Sequence, residues 1–210
     1  MASILVSGDT SGSITIAAPA VAGSGTLTLP TGTDTLIGKA TTDTLTNKSI
    51  AATQLTGTIA AAALPAGTVL QVVNSQTGAF ASGTTQMPLD NTIPQITEGF
   101  QVLSLAITPI SATSKLLFNV NVQIVPQVSA WTGVALFQGA TANAIAATGA
   151  YWAAGGGVIP FNYFMISGTT SSTTFTVRAG MNTAGTLYIN GAPYWGGVAN
   201  TSITIMEIAA

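Results

Sequence analysis

The sequence predicts an all-β chain, an extended N-terminal β stalk followed by an antiparallel β-sandwich head. Three observations predict it: period-two alternation of apolar and polar residues, Thr/Val/Ile enrichment, and frequent Gly, Asn, Pro and Ser punctuation. No window carries a helical stripe. The run Ala60 to Ala63 is too short and stops at Leu64-Pro65.

The N-terminal third alternates cleanly. Ser13-Ile14-Thr15-Ile16 and Thr26-Leu27-Thr28-Leu29 read as short strands, separated by Pro19 and the turn Gly23-Ser24-Gly25. Thr31-Gly32-Thr33-Asp34 reads as another turn. Thr33-Asp34-Thr35-Leu36 with Lys39 then recurs as Thr42-Asp43-Thr44-Leu45 with Lys48, an echo that suits stacked β units in a narrow stalk. Ile50 to Ala66 is small, apolar and uncharged. It reads as a linker with a tight turn or as a slim neck where three chains approach closely. The composition shifts there, which sets the stalk at 1–66 and the head at 67–210.

The head holds all 3 Trp and all 4 Tyr of the chain. It reads as eight strands: Val69 to Val73, Phe100 to Ile107, Lys115 to Val125, Thr132 to Gln138, Val158 to Ile166, Thr173 to Ala179, Thr186 to Ile189 and Ser202 to Ile208. That spacing suits a β-sandwich or jelly roll. Pro109, Pro126, Pro160 and Pro193 fall at the proposed strand ends or turns, as residues that cannot donate to a ladder should.

Composition narrows the function. Apolar residues make up 47% of the 210, enough to bury a core, but charged residues only 5%, against roughly 25% in an ordinary domain. A lone subunit would be poorly solvated, so identical neighbours covering its surface are expected. Mean hydropathy is +0.54, yet no run approaches the roughly 20 apolar residues of a membrane helix. Aromatic residues, at 7%, are too few for the girdles of an outer-membrane barrel. The start Met1-Ala2-Ser3-Ile4 has no basic region of a signal peptide, so a soluble, cytoplasmically made protein is expected. With no Cys and no His, disulfides, Cys/His zinc sites and the usual nucleophilic triads are excluded. Four basic residues at net charge −2 cannot neutralise a nucleic-acid backbone. No cofactor and no metal site is expected.

Several segments carry a family resemblance. Ser13-Ile14-Thr15-Ile16-Ala17-Ala18-Pro19, Gly25-Thr26-Leu27-Thr28-Leu29-Pro30, Ala40 through Ile50, and Leu55-Thr56-Gly57-Thr58-Ile59 resemble bacteriophage tail-fibre sequences. Ser114-Lys115-Leu116-Leu117-Phe118, Val134-Ala135-Leu136-Phe137 and Thr201 through Ile208 resemble the C-terminal receptor-binding domain of such fibres. That domain is similar to the trimeric jelly rolls of the tumour necrosis factor and C1q family. The resemblance implies a non-enzymatic virion structural protein: a homotrimeric short tail fibre whose head meets a glycan or protein on the host surface. Residues 1–66 would then dock onto other virion proteins. A trimeric capsid decoration or head-fibre protein is the alternative, and a polysaccharide-degrading spike the third reading.

Candidate site residues follow. Asp90 and Glu98 are the only carboxylates close together in the head. A glycosidase pair needs roughly 5–10 Å across a sugar cleft, and the two read as solvated loop charges, so no catalytic residue is assigned. Glu207 shares an apolar face with Ile203 and Ile205 by alternation, and a carboxylate there needs a partner. Lys115 and Arg178, the only cations after residue 66, are the candidates for an ion pair near the trimer axis, unless Glu207 simply emerges at the strand end. Tyr151-Trp152 and Tyr194-Trp195 sit beside glycine-rich stretches, and Trp131 is a third candidate loop aromatic. Such rings either stack on sugar faces or fill the core and subunit seams. Gly155-Gly156-Gly157 lacks the Lys and the helix of a phosphate loop.

Overall fold

A computed structural model of the chain describes residues 3–7, 10–17, 31, 49–51, 53, 56–57, 59–153, 155–191 and 198–210. Two compact units divide it, Met1–Thr56 and Gly57–Ala210. In the first, β1 (Ser3–Ser7) and β2 (Ser13–Ala17) form an antiparallel hairpin whose backbone register pairs Ile4 with Ile16 and Val6 with Ile14. The sequence reading found β2 but not β1, whose Ile4-Leu5-Val6 core is continuously apolar rather than alternating. The expected strand Thr26 to Leu29, its preceding turn and the Thr33/Thr42 repeat lie outside the described residues.

The second unit is a jelly roll. Its strands are β3 (Val69–Thr77), β4 (Ala81–Gly83), β5 (Phe100–Ile107), β6 (Lys115–Pro126), β7 (Ala130–Gln138), β8 (Ala146–Trp152), β9 (Gly157–Ile166), β10 (Thr173–Met181), β11 (Leu187–Ile189) and β12 (Thr201–Ile208). One sheet runs β5-β10-β7-β8. The other runs β3-β12-β6, with β9 on the free edge of β6 and β11-β4 continuing beyond its far end. The chain crosses between sheets at β4/β5, β5/β6, β6/β7, β8/β9, β9/β10 and β10/β11, and every pairing is antiparallel. Those are the two interleaved Greek keys of a jelly roll. Ala61–Ala63 forms a single 3₁₀ turn. Among the described residues no helix is long and apolar enough to cross a membrane.

Alternation builds the core. Leu116, Phe118, Val120, Val122 and Ile124 of β6 point inward with Ile203 and Ile205 of β12, and meet Val134 and Leu136 of β7 and Phe175 and Val177 of β10. Phe118 and Phe175 join the sheets edge to face, ring centroids 4.7 Å apart. Burying each such side chain contributes about 1.5–3 kcal/mol.

All eight expected head strands are present, with β3 running on to Thr77. Two strands escaped the reading. β4 is only three residues long, and β8 is built largely of Ala, Gly and Thr, with little β propensity to announce it. Pro160, expected near a strand end, lies within β9. That strand is an edge, where the missing N–H is tolerated. Pro193 lies outside the described residues.

Candidate functional site

The outward side of β7 and β8 forms a trough. The register sets Trp131 opposite Tyr151, Gly133 opposite Gly149 and Ala135 opposite Ala147. Neither facing glycine carries a side chain, and Met87 packs over Gly133, where a Cβ would fall 2.7 Å from its Sδ. A Cβ on Gly149 would stand 2.9 Å from the Thr132 carbonyl oxygen, so the floor is also closely approached.

The segment joining β4 to β5 crosses this sheet as a strap. Met87 N–H donates to Met181 C=O (2.9 Å) and Gly99 N–H to Gln86 C=O (2.8 Å). Met87 packs on Ala135 and Phe137. Gly180 lets the strap lie close, because a Cβ there would meet Gly99 Cα, Met87 Cβ and the Thr85 carbonyl oxygen at 2.9 Å. Between strap and sheet lies a groove of about 300 Å³ lined by Met87, Leu89, Asp90, Thr92, Trp131, Gly133, Gly149 and Asn182, among others.

Its polar groups are held in place. Thr92 donates to Asp90 Oδ1 through both its backbone N–H (2.8 Å) and its hydroxyl (2.6 Å). The Thr92 hydroxyl, then its N–H, hold the Asp90 pKa below the ordinary carboxylate value. Asn182 Oδ1 accepts from Trp131 N–H (3.1 Å), and Asn182 N–H donates to Trp131 C=O (2.9 Å), which fixes the amide beside the indole. Glu98 does not line the groove; its Oε2 accepts from Gln95 N–H (2.9 Å).

The predicted aromatics part company. Trp131 and Tyr151 stand outward, 42% and 55% exposed, with ring centroids 6.1 Å apart. They occupy strands rather than the loops expected, so their backbone is fixed by ladder bonds. Trp152, next along β8, turns inward and packs on the core. A Cβ on Gly157 would fall 2.2 Å from its ring, so that glycine accommodates the indole. Tyr194 and Trp195 lie outside the described residues. Sequence reasoning missed Thr92, Asn182 and the Gly133/Gly149 pair; Asp-x-Thr between Pro88 and Pro94 was the available signal for a built turn.

The expected ion pair is corrected. Glu207 is 0% exposed and faces the core, as its alternation required. Its carboxylate accepts from Gln71 Nε2 (2.5 Å), Ile110 N–H (2.8 Å), Ser111 N–H (3.1 Å) and the Ser114 hydroxyl. Burial pushes its pKa up, but these donors outweigh burial and leave it lowered. Lys115 is exposed and projects from the other side of the sheet, since Glu207 pairs with Leu116 and Lys115 with Ile208. Arg178 belongs to the opposite sheet, where Nε and Nη2 donate to the carbonyls of Glu98 (2.9 Å) and Gly99 (2.7 Å) and pin the strap.

The second sheet presents a different outer surface, ordered in rows across β3, β12, β6 and β9. Val69–Ile208–Lys115–Ile166 and Val72–Met206–Leu117–Phe164 are almost wholly apolar. Asn74–Thr204–Asn119–Asn162 and, but for Pro160, Gln76–Ser202–Asn121–Pro160 are polar, and both are uncharged. Val69, Val72, Phe164 and Ile166 are exposed. Asn74 Nδ2 bonds Thr204 Oγ1 (2.8 Å) and Asn119 Nδ2 bonds Asn162 Oδ1 (3.0 Å).

No protein-family model and no curated protein matches the chain. Solved structures of similar strand arrangement include the C-terminal domain of EclA, a sugar-binding protein (15% identity, TM-score 0.33, covering 58% of this chain and 80% of that one). Another is the CBM36-1 domain of a multidomain xylanase from the hindgut metagenome of Trinervitermes trinervoides (12%, 0.35, 64% and 96%). A third is infectious bursal disease virus, Gx strain (14%, 0.33, 67% and 37%). These are likenesses of strand arrangement and nothing more.

Proposed function

We propose that the chain is a bacteriophage virion structural protein, a short homotrimeric tail fibre whose jelly-roll head binds a host-surface glycan beside Trp131. The observation that carries the reading is the exposed Trp131–Tyr151 pair on rigid strands, at the end of a groove with a glycine floor and fixed polar groups. A flat indole face beside oriented hydrogen-bonding groups is what a sugar ring requires. The tail-fibre resemblance of the N-terminal segments supports the virion assignment, and residues 1–66 are the part we assign to docking on other virion proteins. Several heads per particle make weak single sites sufficient through avidity. The head is read as non-catalytic, because among the described residues a single carboxylate lines the groove where glycoside cleavage uses two.

The trimer is assigned to the flat outer face of the β3-β12-β6-β9 sheet, with a second copy as its occupant. In these four rows the face carries one charge, Lys115, so a strongly charged partner finds no complement there. Its side-chain amides donate and accept equally, which suits a like surface.

The test is the double variant Trp131→Ala/Tyr151→Ala. Adsorption to host cells or purified surface glycan should fall on the order of tenfold or more per head, with the sedimenting species unchanged. Undiminished adsorption, or loss of assembly instead, overturns the reading.

A further inference from the structure

Resting on the glycan reading of this groove, we propose that it selects neutral or amino sugars and rejects acidic ones. Among the described residues, Asp90 is the only formally charged one lining it. The two described cations are committed elsewhere: Arg178 holds the strap carbonyls and Lys115 stands on the outer face of the opposite sheet. No described cation therefore meets an incoming carboxylate, sulfate or phosphate.

The remaining valences match a hydroxyl-bearing ring. Thr92 occupies Asp90 Oδ1, which leaves Oδ2 to accept from a sugar hydroxyl or ammonium. Asn182 spends its Oδ1 on Trp131 N–H, which leaves its NH₂ to donate to a sugar oxygen. Trp131 offers the apolar face between them. A volume of about 300 Å³ is at the low end for small-molecule sites and suits one or two rings of a longer chain. An acidic sugar would set its carboxylate near Asp90, which stands in solvent, so a like-charge repulsion screened by water and salt disfavours it.

Calorimetric titration of the full chain with three probes of equal length tests this: a neutral glucan oligosaccharide, a chitosan oligosaccharide and an oligogalacturonate. The first two should bind more tightly than the third, by about threefold to fivefold at low salt. Asp90→Asn, which keeps an acceptor for Thr92, should narrow that gap, and Trp131→Ala should weaken binding of the preferred probes. Preference for oligogalacturonate, an unchanged gap in Asp90→Asn, or binding of none of the three overturns the charge selection. Full binding by Trp131→Ala would sink the glycan reading itself. Loss in Trp131→Ala with an unchanged gap in Asp90→Asn sinks only the selection.

Discussion

The two outer faces of the head obey the same alternation rule and end in opposite surfaces. On β7 and β8 the outward positions are Gly133, Gly149, Ala135 and Ala147, and a strap pinned by Met87, Gly99 and Arg178 crosses over them. On β3, β12, β6 and β9 the outward positions are Val72, Met206, Leu117 and Phe164, with nothing of the described chain laid over them. Removing side chains and adding a strap makes a concavity sized for a small ring. Keeping large side chains in even rows makes a broad apolar face that a second broad surface covers well. The inward residues make one core; the outward residues divide the labour.

The largest expected effect breaks the flat face. Leu117→Asp with Phe164→Asp places two carboxylates in adjacent positions of the most apolar row. Two central apolar anchors lost together amount to about 4 kcal/mol, roughly a thousandfold in association. Sedimentation should then find lone subunits at concentrations where the parent assembles, while oligosaccharide binding at the groove persists. A trimer that forms as before would remove this face from the seam.

This contrast shows which features were legible beforehand. The inward pattern was plain, because Leu116, Phe118, Val120, Val122 and Ile124 repeat at period two and β6 could be read nearly to its ends. The flat face was half legible: low charge pointed to a covered surface, but which residues form a row depends on registers between strands up to 139 positions apart, as in Val69 opposite Ile208. The groove was scarcely legible. Its floor is partly β8, whose small residues hide a strand, and its polar wall joins Asp90 to Asn182, far apart in the chain. The Glu207 partner was misread for a local reason. Its apolar face was foreseen, but a carboxylate on β12 can be satisfied by neutral backbone N–H groups of the β5–β6 loop, which leave no trace in composition.

Glu207→Gln is the intermediate case, because it loosens the end of the core beneath the flat face and leaves the groove alone. The amide keeps one acceptor, loses the charge, and turns an NH₂ toward the donors of Ile110, Ser111 and Ser114. A loss of about 2–3 kcal/mol is expected at neutral pH. The pH dependence has a fixed sign. The folded pKa lies below the ordinary 4.5, so the ionised group contributes stability above that value and loses it as pH falls through the folded value. Thermal melts of the parent should show that acid limb, and those of Glu207→Gln should lack it. Equal melting of the two proteins at neutral pH would show that the four donors contribute nothing net.

The smallest effect is expected from Trp152→Phe, which tests the division between inward and outward aromatics on one strand. Trp152 Nε1 is buried with no hydrogen-bond partner among the described residues. Phenylalanine removes that unpaired donor, a gain of about 1–2 kcal/mol. It also empties the space of the lost ring beside Gly157, a cost of similar size. The two terms nearly cancel, so melting should shift by only a few degrees and oligosaccharide affinity should not change. Trp131→Phe, by contrast, should leave melting alone and weaken binding, since its indole is the exposed wall of the groove. If Trp152→Phe instead lost affinity at unchanged melting temperature, Trp152 would belong with the ligand and the boundary drawn between adjacent residues of β8 would fall.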